Sequence, residues 1–235
     1  MITVMQIRIK VYLLENISVE QIPKKIAEFL DYGLSQDSYF AKFHEENKFK
    51  QYSVDWLYPF ESDKVYKKDR IYTLTIRTID RKLAEYFAGH VVNVYTKSIK
   101  GITAEVRVVP QKHIDLLYSV TPIILKCEKG YWKDSLTPDQ YEERLKVNLL
   151  KKWKQFCGEK LPEDFEMFTG IEFLNKCPIA VEFKGKGKDI RLLGDKLCLH
   201  IAENENAQKL AYLAIGTGVG ELNARSAGFC NYRWL

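Results

Sequence analysis

The stretch AIGTGVGELNARSAGF (214–229) carries Gly216, Gly218, Gly220 and Gly228, with Asn223 and Arg225 between the last two glycines. Glycine loses more conformational freedom on folding than any other residue, so a cluster marks positive φ or a backbone that something approaches closely. The flanks fix its place. NAQKLAYLAIG (206–216) repeats apolar residues at helical spacing, and GFCNYRW (228–234) reads as a strand. A glycine run between helix and strand is not a dinucleotide-binding GxGxxG, which follows a strand and opens a helix. It also lacks the lysine-threonine ending of a phosphate-binding P-loop. Two readings remain. One is a loop whose glycines satisfy special dihedrals. The other is a surface where phosphates or bases lie close, with Asn223 and Arg225 as donors.

Upstream, strands and helices alternate in a pattern that occurs twice. Residues 5–14 form a first strand; Ser18 suits a helix N-cap, with Gln21 at the capping-box position and Pro23 in the first turn. Ile22, Ile26, Phe29, Leu30 and Leu34 then mark one apolar helix face. After a polar stretch come two strands, QYSVDWLYPF (51–60) and RIYTLTIRTI (70–79). Asp80 caps a short helix, RKLAEYFAG (81–89), closed by Gly89. VVNVYTKSIKGITAEVRVVP (91–110) supplies a fourth strand with a hairpin partner around Lys100 and Gly101.

After Pro110 the order restarts with HIDLLYSV (113–120) and PIILKC (122–127) as strand material. A long helix follows, capped by Ser135 or Thr137, with Pro138 at its first position and Gly158 as its stop. Strands around FEMFTGIEFL (165–174), IAVEFKG (179–185) and KLCLHIA (196–202) lead to the last helix. The fold class expected is α+β: two tandem ferredoxin-like (β-α-β-β-α-β) domains, 1–110 and 111–235, the plan of RNA-recognition modules.

The chain of 235 residues has room for two domains of ~100–120 residues each. Its net charge of +5 permits a nucleic-acid partner without requiring one. No stretch approaches the ~20 apolar residues of a membrane span, and the N-terminus alternates like a strand instead of resembling a signal peptide. A cytoplasmic location with no membrane partner is therefore expected. Cys127, Cys157, Cys177, Cys198 and Cys230 lie at least 20 positions apart, so they form no CxxC pair and read as reduced thiols. The four histidines are isolated as well. No metal and no cofactor are expected.

The terminal GTGVGELNARSAGFCN resembles the glycine-rich signature, roughly GxGxxNxxGxG, of the CRISPR-associated repeat-processing endoribonucleases, the Cas-six family. Weaker matches extend the likeness over nearly the whole chain: IRIKVYLL at the start, HEENKFKQYSVDWL (44–57), and YSVTPIIL in mid-chain. The segment 224–227 is one residue longer than the commonest spacing, and Cys230 stands where the family usually repeats a glycine. The resemblance implies two tandem ferredoxin-like domains and a metal-independent endoribonuclease that cuts precursor CRISPR RNA within each repeat. In that chemistry the RNA's 2′-hydroxyl attacks the adjacent phosphate, leaving a cyclic phosphate (or 3′-phosphate) and a 5′-hydroxyl. The partners it implies are CRISPR repeat RNA, with a CRISPR effector complex and a homodimer as further candidates.

Such a reaction requires a base, an acid and charge stabilisation for the phosphorane, with base and acid each worth ~10²–10⁴ in rate. His44 matches the family's catalytic histidine region, and its ordinary pKa near ~6.5 makes both protonation states available. Standing alone, a histidine between the first helix and the second strand would simply be solvated. The resemblance maps a tyrosine and a lysine onto Tyr32 and Lys50, with Tyr39 and Lys48 as substitutes. For RNA binding it points to Gly216, Gly218, Gly220, Asn223, Arg225, Gly228 and Phe229. Lys184, Lys186 and Lys188, on a glycine-interrupted hairpin in FKGKGKDIR, would follow the backbone electrostatically. The basic KVNLLKKWK reads instead as the solvated face of an amphipathic helix. His90, His113 and His200 read as structural. The alternatives are an inactive repeat-RNA-binding relative within an effector complex, and a two-domain protein holding a small metabolite between its halves.

Overall fold

A computed structural model describes residues 2–46, 48–128, 130–184 and 189–235, with the backbone alone at 43–45 and 184. The first half contains β1 (Val4–Leu13), β2 (Ile17–Ser18), α1 (Ile22–Ser35), α2 (Ser38–Glu45), β3 (Tyr52–Tyr58), β4 (Val65–Tyr66), β5 (Ile71–Thr78), α3 (Arg81–Gly89) and β6 (Ile99–Val109). Its main sheet runs β3-β5-β1-β6, all antiparallel. The second half contains β7 (Ile114–Ser119), α4 (Pro138–Cys157), β8 (Phe168–Phe173), β9 (Ile179–Lys184), β10 (Asp189–Gly194), β11 (Leu197–Ile201), α5 (Glu205–Thr217) and β12 (Cys230–Trp234). Its sheet runs β12-β7-β11-β8, also antiparallel, with β9 and β10 as a separate hairpin. In both sheets the last strand joins the first and the third separates the first from the second. That is the ferredoxin-like order, and it occurs twice.

Alternation explains the first sheet. Ile7, Ile9 and Val11 are fully buried under the helices, while Gln6, Arg8 and Lys10 take the opposite face. In the second half α4 begins with a capping box: Gln140 N–H donates to Thr137 Oγ1 at 3.3 Å, and Thr137 N–H donates to Gln140 Oε1 at 2.9 Å. Gly158 ends that helix at φ +73°.

Four expectations need correction. Ser18 caps nothing; it pairs with Val65, and α1 starts after Gln21, with Pro23 in its first turn. The polar stretch after α1 contains a helix, α2, because Asp37 accepts from the amides of Tyr39 and Phe40 and Phe40 packs on Tyr86. His44 is therefore helical. Residues 91–110 give one long strand after a short 3₁₀ turn, with the hairpin partner reduced to Tyr95, which bridges to Lys100. PIILKC forms no strand: Ile123 and Ile124 make isolated bridges to Asp195 and Glu221.

The two halves are joined through buried polar contacts. Arg77 of β5 donates through Nη1 to the Cys230 carbonyl and through Nη2 to Asn231 Oδ1, both at 2.6 Å. Tyr212 of α5 donates to the Val109 carbonyl at 2.7 Å. No described helix is long and apolar enough to cross a membrane.

Candidate functional site

The glycine-rich stretch leaves α5 through five left-handed residues: Gly218, Gly220, Leu222, Ser226 and Gly228, with φ from +59° to +74°. Such turning folds the segment back on itself. Val219 N–H donates to the Gly228 carbonyl at 2.9 Å, and Gly228 N–H to the Pro122 carbonyl at 2.8 Å. What approaches the glycines here is protein. A Cβ on Gly216 would stand 2.7 Å from Ile79 Cγ2, one on Gly218 2.5 Å from Asn223 Nδ2, and one on Gly220 2.7 Å from the Ile124 carbonyl oxygen.

Asn223 sits inside this loop. Its Nδ2 donates to the carbonyls of Val219 and Ala227 at 2.9 and 3.0 Å, and its Oδ1 accepts from Lys152 Nζ at 2.7 Å. The same ammonium donates to the Gly218 carbonyl at 2.7 Å. Lys152 is fully buried on α4, so its expected place on a solvated face is wrong. It follows Leu145 and Leu149 at helical spacing and shares their inward side. Phe229 is likewise interior, 1% exposed, with the Arg77 guanidinium 4.4 Å from its ring centroid.

Burial pulls the Lys152 ammonium down to about 7, with Cys230 and Glu221 opposing. Between pH 7 and 8.5 the unfolded chain, with an ordinary lysine, keeps a proton that the folded chain releases. Stability therefore rises with pH across that window, by about 1–2 kcal/mol from this group. The neutral amine still donates to both acceptors. Cys230, pushed up to about 12 by burial, acts with the opposite sign as free thiols begin to ionise near the top of that window. Wild type and Lys152→Met both contain it, so their difference reads Lys152. Lys152→Met is expected to lose about 2 kcal/mol at pH 7, because two buried oxygens lose their donor. It should also lose the upward slope. Urea unfolding of both proteins at pH 7 and 8.5 checks this.

From this anchored loop Arg225 reaches across to the first half and pairs with Asp31 of α1, while Trp56 Nε1 donates to the Ser226 carbonyl at 3.0 Å. Lys50 Nζ donates to the Glu46 carbonyl at 2.8 Å, just beyond α2. Burial is the main influence lowering the Lys50 ammonium; Glu46 opposes it and Arg225 adds to it. Lys48, Lys50 and Arg225 line one cleft of about 390 Å³, closed on the other side by α4. Gln155 of α4 holds the Phe49 backbone there with two hydrogen bonds, of 3.1 and 2.8 Å.

Of the residues expected at the reaction centre, Lys50 lines this cleft beside Arg225, which was expected to bind RNA, and His44 occupies the last turn of α2 with its side chain outside the described residues. Tyr32 is exposed next to Asp31 and does not line the cleft; Tyr39 is exposed on α2. Lys186 and Lys188 lie outside the described residues, and so does the side chain of Lys184. Sequence reasoning missed Asp31, Lys152 and Gln155. Only Lys152 left a signal, its spacing from Leu145 and Leu149.

A second, larger cleft of about 760 Å³ runs over the open face of the first sheet to the edge of β12. Arg8, Lys10 and Arg107 supply its charge, Glu105 partly offsets Arg8 at 3.5 Å, and Tyr58 and Tyr118 offer exposed rings. Asp55, also in this cleft, is raised to about 6 by burial, against the pull of the Trp56 amide, Arg77 and Lys196. Cations interleaved with aromatic faces suit a single-stranded polyanion with bases to stack.

No protein-family model matches the chain, and no curated protein matches it in sequence. Solved structures match it almost end to end. A CRISPR associated protein Cas6 is 20% identical with a TM-score of 0.69, and the match covers 98% of this chain and 99% of that one. A RAMP protein binding different RNA substrates is 16% identical at a TM-score of 0.70, over 97% and 99%. The product of a Cas6-related gene from Pyrococcus furiosus is 15% identical at 0.62, over 98% of each chain. Fold and clefts define a tandem ferredoxin-like protein with basic grooves at its sheet and loop surfaces. Its fold is that of the Cas6 proteins.

Proposed function

We propose that this protein binds the repeat of a CRISPR transcript and cuts it once per repeat, acting in the cytoplasm, with the two halves divided at about residue 110. The observation that carries this reading is the meeting of Lys50 and Arg225, from opposite halves, in one cleft at the end of the helix bearing His44. The nucleophile is the substrate's own 2′-hydroxyl, so the reaction requires no metal-bound water. His44 exchanges the proton, as base or acid. Lys50 and Arg225 face the phosphorane, and Tyr32 or Tyr39, both exposed outside the cleft, is the candidate for a further phosphate donor. In-line placement of nucleophile and leaving oxygen comes from holding the strand on both sides of the cut.

The anchored glycine loop serves here as the mount for Arg225. Gly216, Gly218, Gly220, Gly228, Asn223 and Phe229 set its path, and RNA contact falls to Arg225, the larger basic cleft and the hairpin lysines. Arg107→Ala, in the cleft, is expected to weaken binding evenly across RNA sequences and to reduce the slope of log affinity against log salt by about 0.7. Titration of labelled repeat RNA at several salt concentrations reads it.

The deciding experiment incubates the protein, in EDTA, with repeat RNA from its own host's array. A parallel substrate carries one 2′-deoxy sugar immediately before the cut. Cleavage of the first and not the second supports the mechanism. Tight binding without cleavage replaces it with an RNA-holding subunit of an effector complex. Neither binding nor cleavage returns the molecule to the small-ligand reading.

A further inference from the structure

The geometry points to a second, unrelated site: a binding centre for a borderline divalent cation such as Zn²⁺, built from Glu172, Cys198 and His200 on the second sheet. Cys198 and His200 alternate along β11 and so share a face, and Glu172 of β8 stands opposite Cys198 in the antiparallel register. Glu172 Oε1 lies 3.0 Å from His200 Nε2, and one ligand atom from each of the three residues falls within 4.8 Å of the others. Cys198 is a free thiol. Among the described residues this is the one group of three side chains with donor atoms so arranged.

Metal-ligand lengths decide whether the triad suits such an ion. With Zn–N and Zn–O near ~2.1 Å and Zn–S near ~2.3 Å, a tetrahedral ion separates its nitrogen and oxygen ligands by about 3.4 Å, and places the sulfur about 3.6 Å from each. The 3.0 Å pair needs to open by about 0.4 Å, and the sulfur to close by at most about 1.2 Å. Both adjustments are side-chain rotations. Glu172 is 65% exposed, and His200 faces Gly170, where even a Cβ would stay 3.6 Å from the ring. Arg233, near enough to act on the thiol, is held by Asp115 through Nε at 2.6 Å.

A mixed sulfur, nitrogen and oxygen set favours Zn²⁺ over Mg²⁺ or Ca²⁺, which prefer all-oxygen shells. On binding, the thiol releases its proton to water, and the imidazole carries its remaining proton on Nδ1 while Nε2 ligates. Three protein ligands leave the fourth position to solvent. The ion would lie at the rim of the larger cleft, because Tyr118 and Asn231, which line it, are in register with Cys198 across the sheet.

Titration of the metal-free, reduced protein with Co²⁺ tests the site through its spectrum, independently of any RNA activity. One equivalent is expected to bind with a thiolate-to-cobalt charge-transfer band and to be displaced by Zn²⁺. Cys198→Ser should abolish the band, His200→Ala and Glu172→Gln should each weaken binding at least roughly tenfold, and Cys177→Ser should change nothing. Absence of the band overturns the proposal. So does a band that survives Cys198→Ser, or affinity unchanged in His200→Ala or Glu172→Gln. Circular dichroism of each variant shows that the sheet is intact.

Discussion

His44→Ala is expected to slow repeat cleavage by ~10²–10⁴, the usual worth of a positioned general acid or base, while repeat binding changes by less than about threefold. The split follows from how the site is divided. In the proposed mechanism binding rests on charge spread over two clefts and the hairpin lysines, so one side chain at the end of α2 contributes little to it. Proton transfer has no such redundancy. Lys50 donates to the Glu46 carbonyl and Arg225 pairs with Asp31, so both are placed as donors and the proposed mechanism leaves proton transfer to His44. Lys50→Ala should therefore lower rate and affinity together. Single-turnover cleavage at saturating protein, with filter binding beside it, separates the two. Cleavage within tenfold of wild type in His44→Ala would remove this residue from the chemistry, and the same assay on Tyr32→Phe and Tyr39→Phe decides which tyrosine assists.

Period-two alternation and cap chemistry made most of the fold legible. Ile7, Ile9 and Val11 against Gln6, Arg8 and Lys10 identify a strand covered on one face, and the structure covers that face. Pro138 after Ser135 or Thr137 marks the start of α4, and the structure settles the cap on Thr137 through its box with Gln140. What the sequence concealed depended on contacts between distant segments. The eight-residue α2 is too short to show a period and is held by Asp37 and by Phe40 against Tyr86. Lys152 looks like solvated charge until the loop that occupies its ammonium is folded beside it. Glu172 stands 26 positions before Cys198, and only the pairing of β8 with β11 brings them together.

The glycine signature was legible as a signature, and its physical cause was not. Composition says that the backbone is needed; it does not say what needs it. In the structure Arg225 reaches Asp31 because the loop is wound tightly by left-handed residues and fastened by Asn223 and Lys152. The same motif that suggested room for a ligand builds a rigid arm between the halves.

Gly228→Ala carries that argument to a measurement. A Cβ there would stand 1.9 Å from the Val219 carbonyl oxygen and 2.8 Å from Asn223 Nδ2, on a backbone with φ +61°. The left-handed conformation alone costs about 1–2 kcal/mol for a residue with a Cβ. The clash adds more, since both contacts lie within the network that Val219 and Asn223 support. We expect a loss above about 4 kcal/mol, large against a typical total of ~5–15 kcal/mol. Gly158→Ala isolates the backbone part: its φ is +73° and its Cβ would meet nothing within 4 Å, so the expected loss is only about 1–2 kcal/mol. Urea unfolding of the two variants reads the difference directly. If both lose about the same, the loop relaxes around the new methyl group and close packing is not why glycine is required. A Gly228→Ala protein that folds with ordinary stability but no longer binds repeat RNA would restore the other reading of the sequence, in which nucleic acid approaches this backbone.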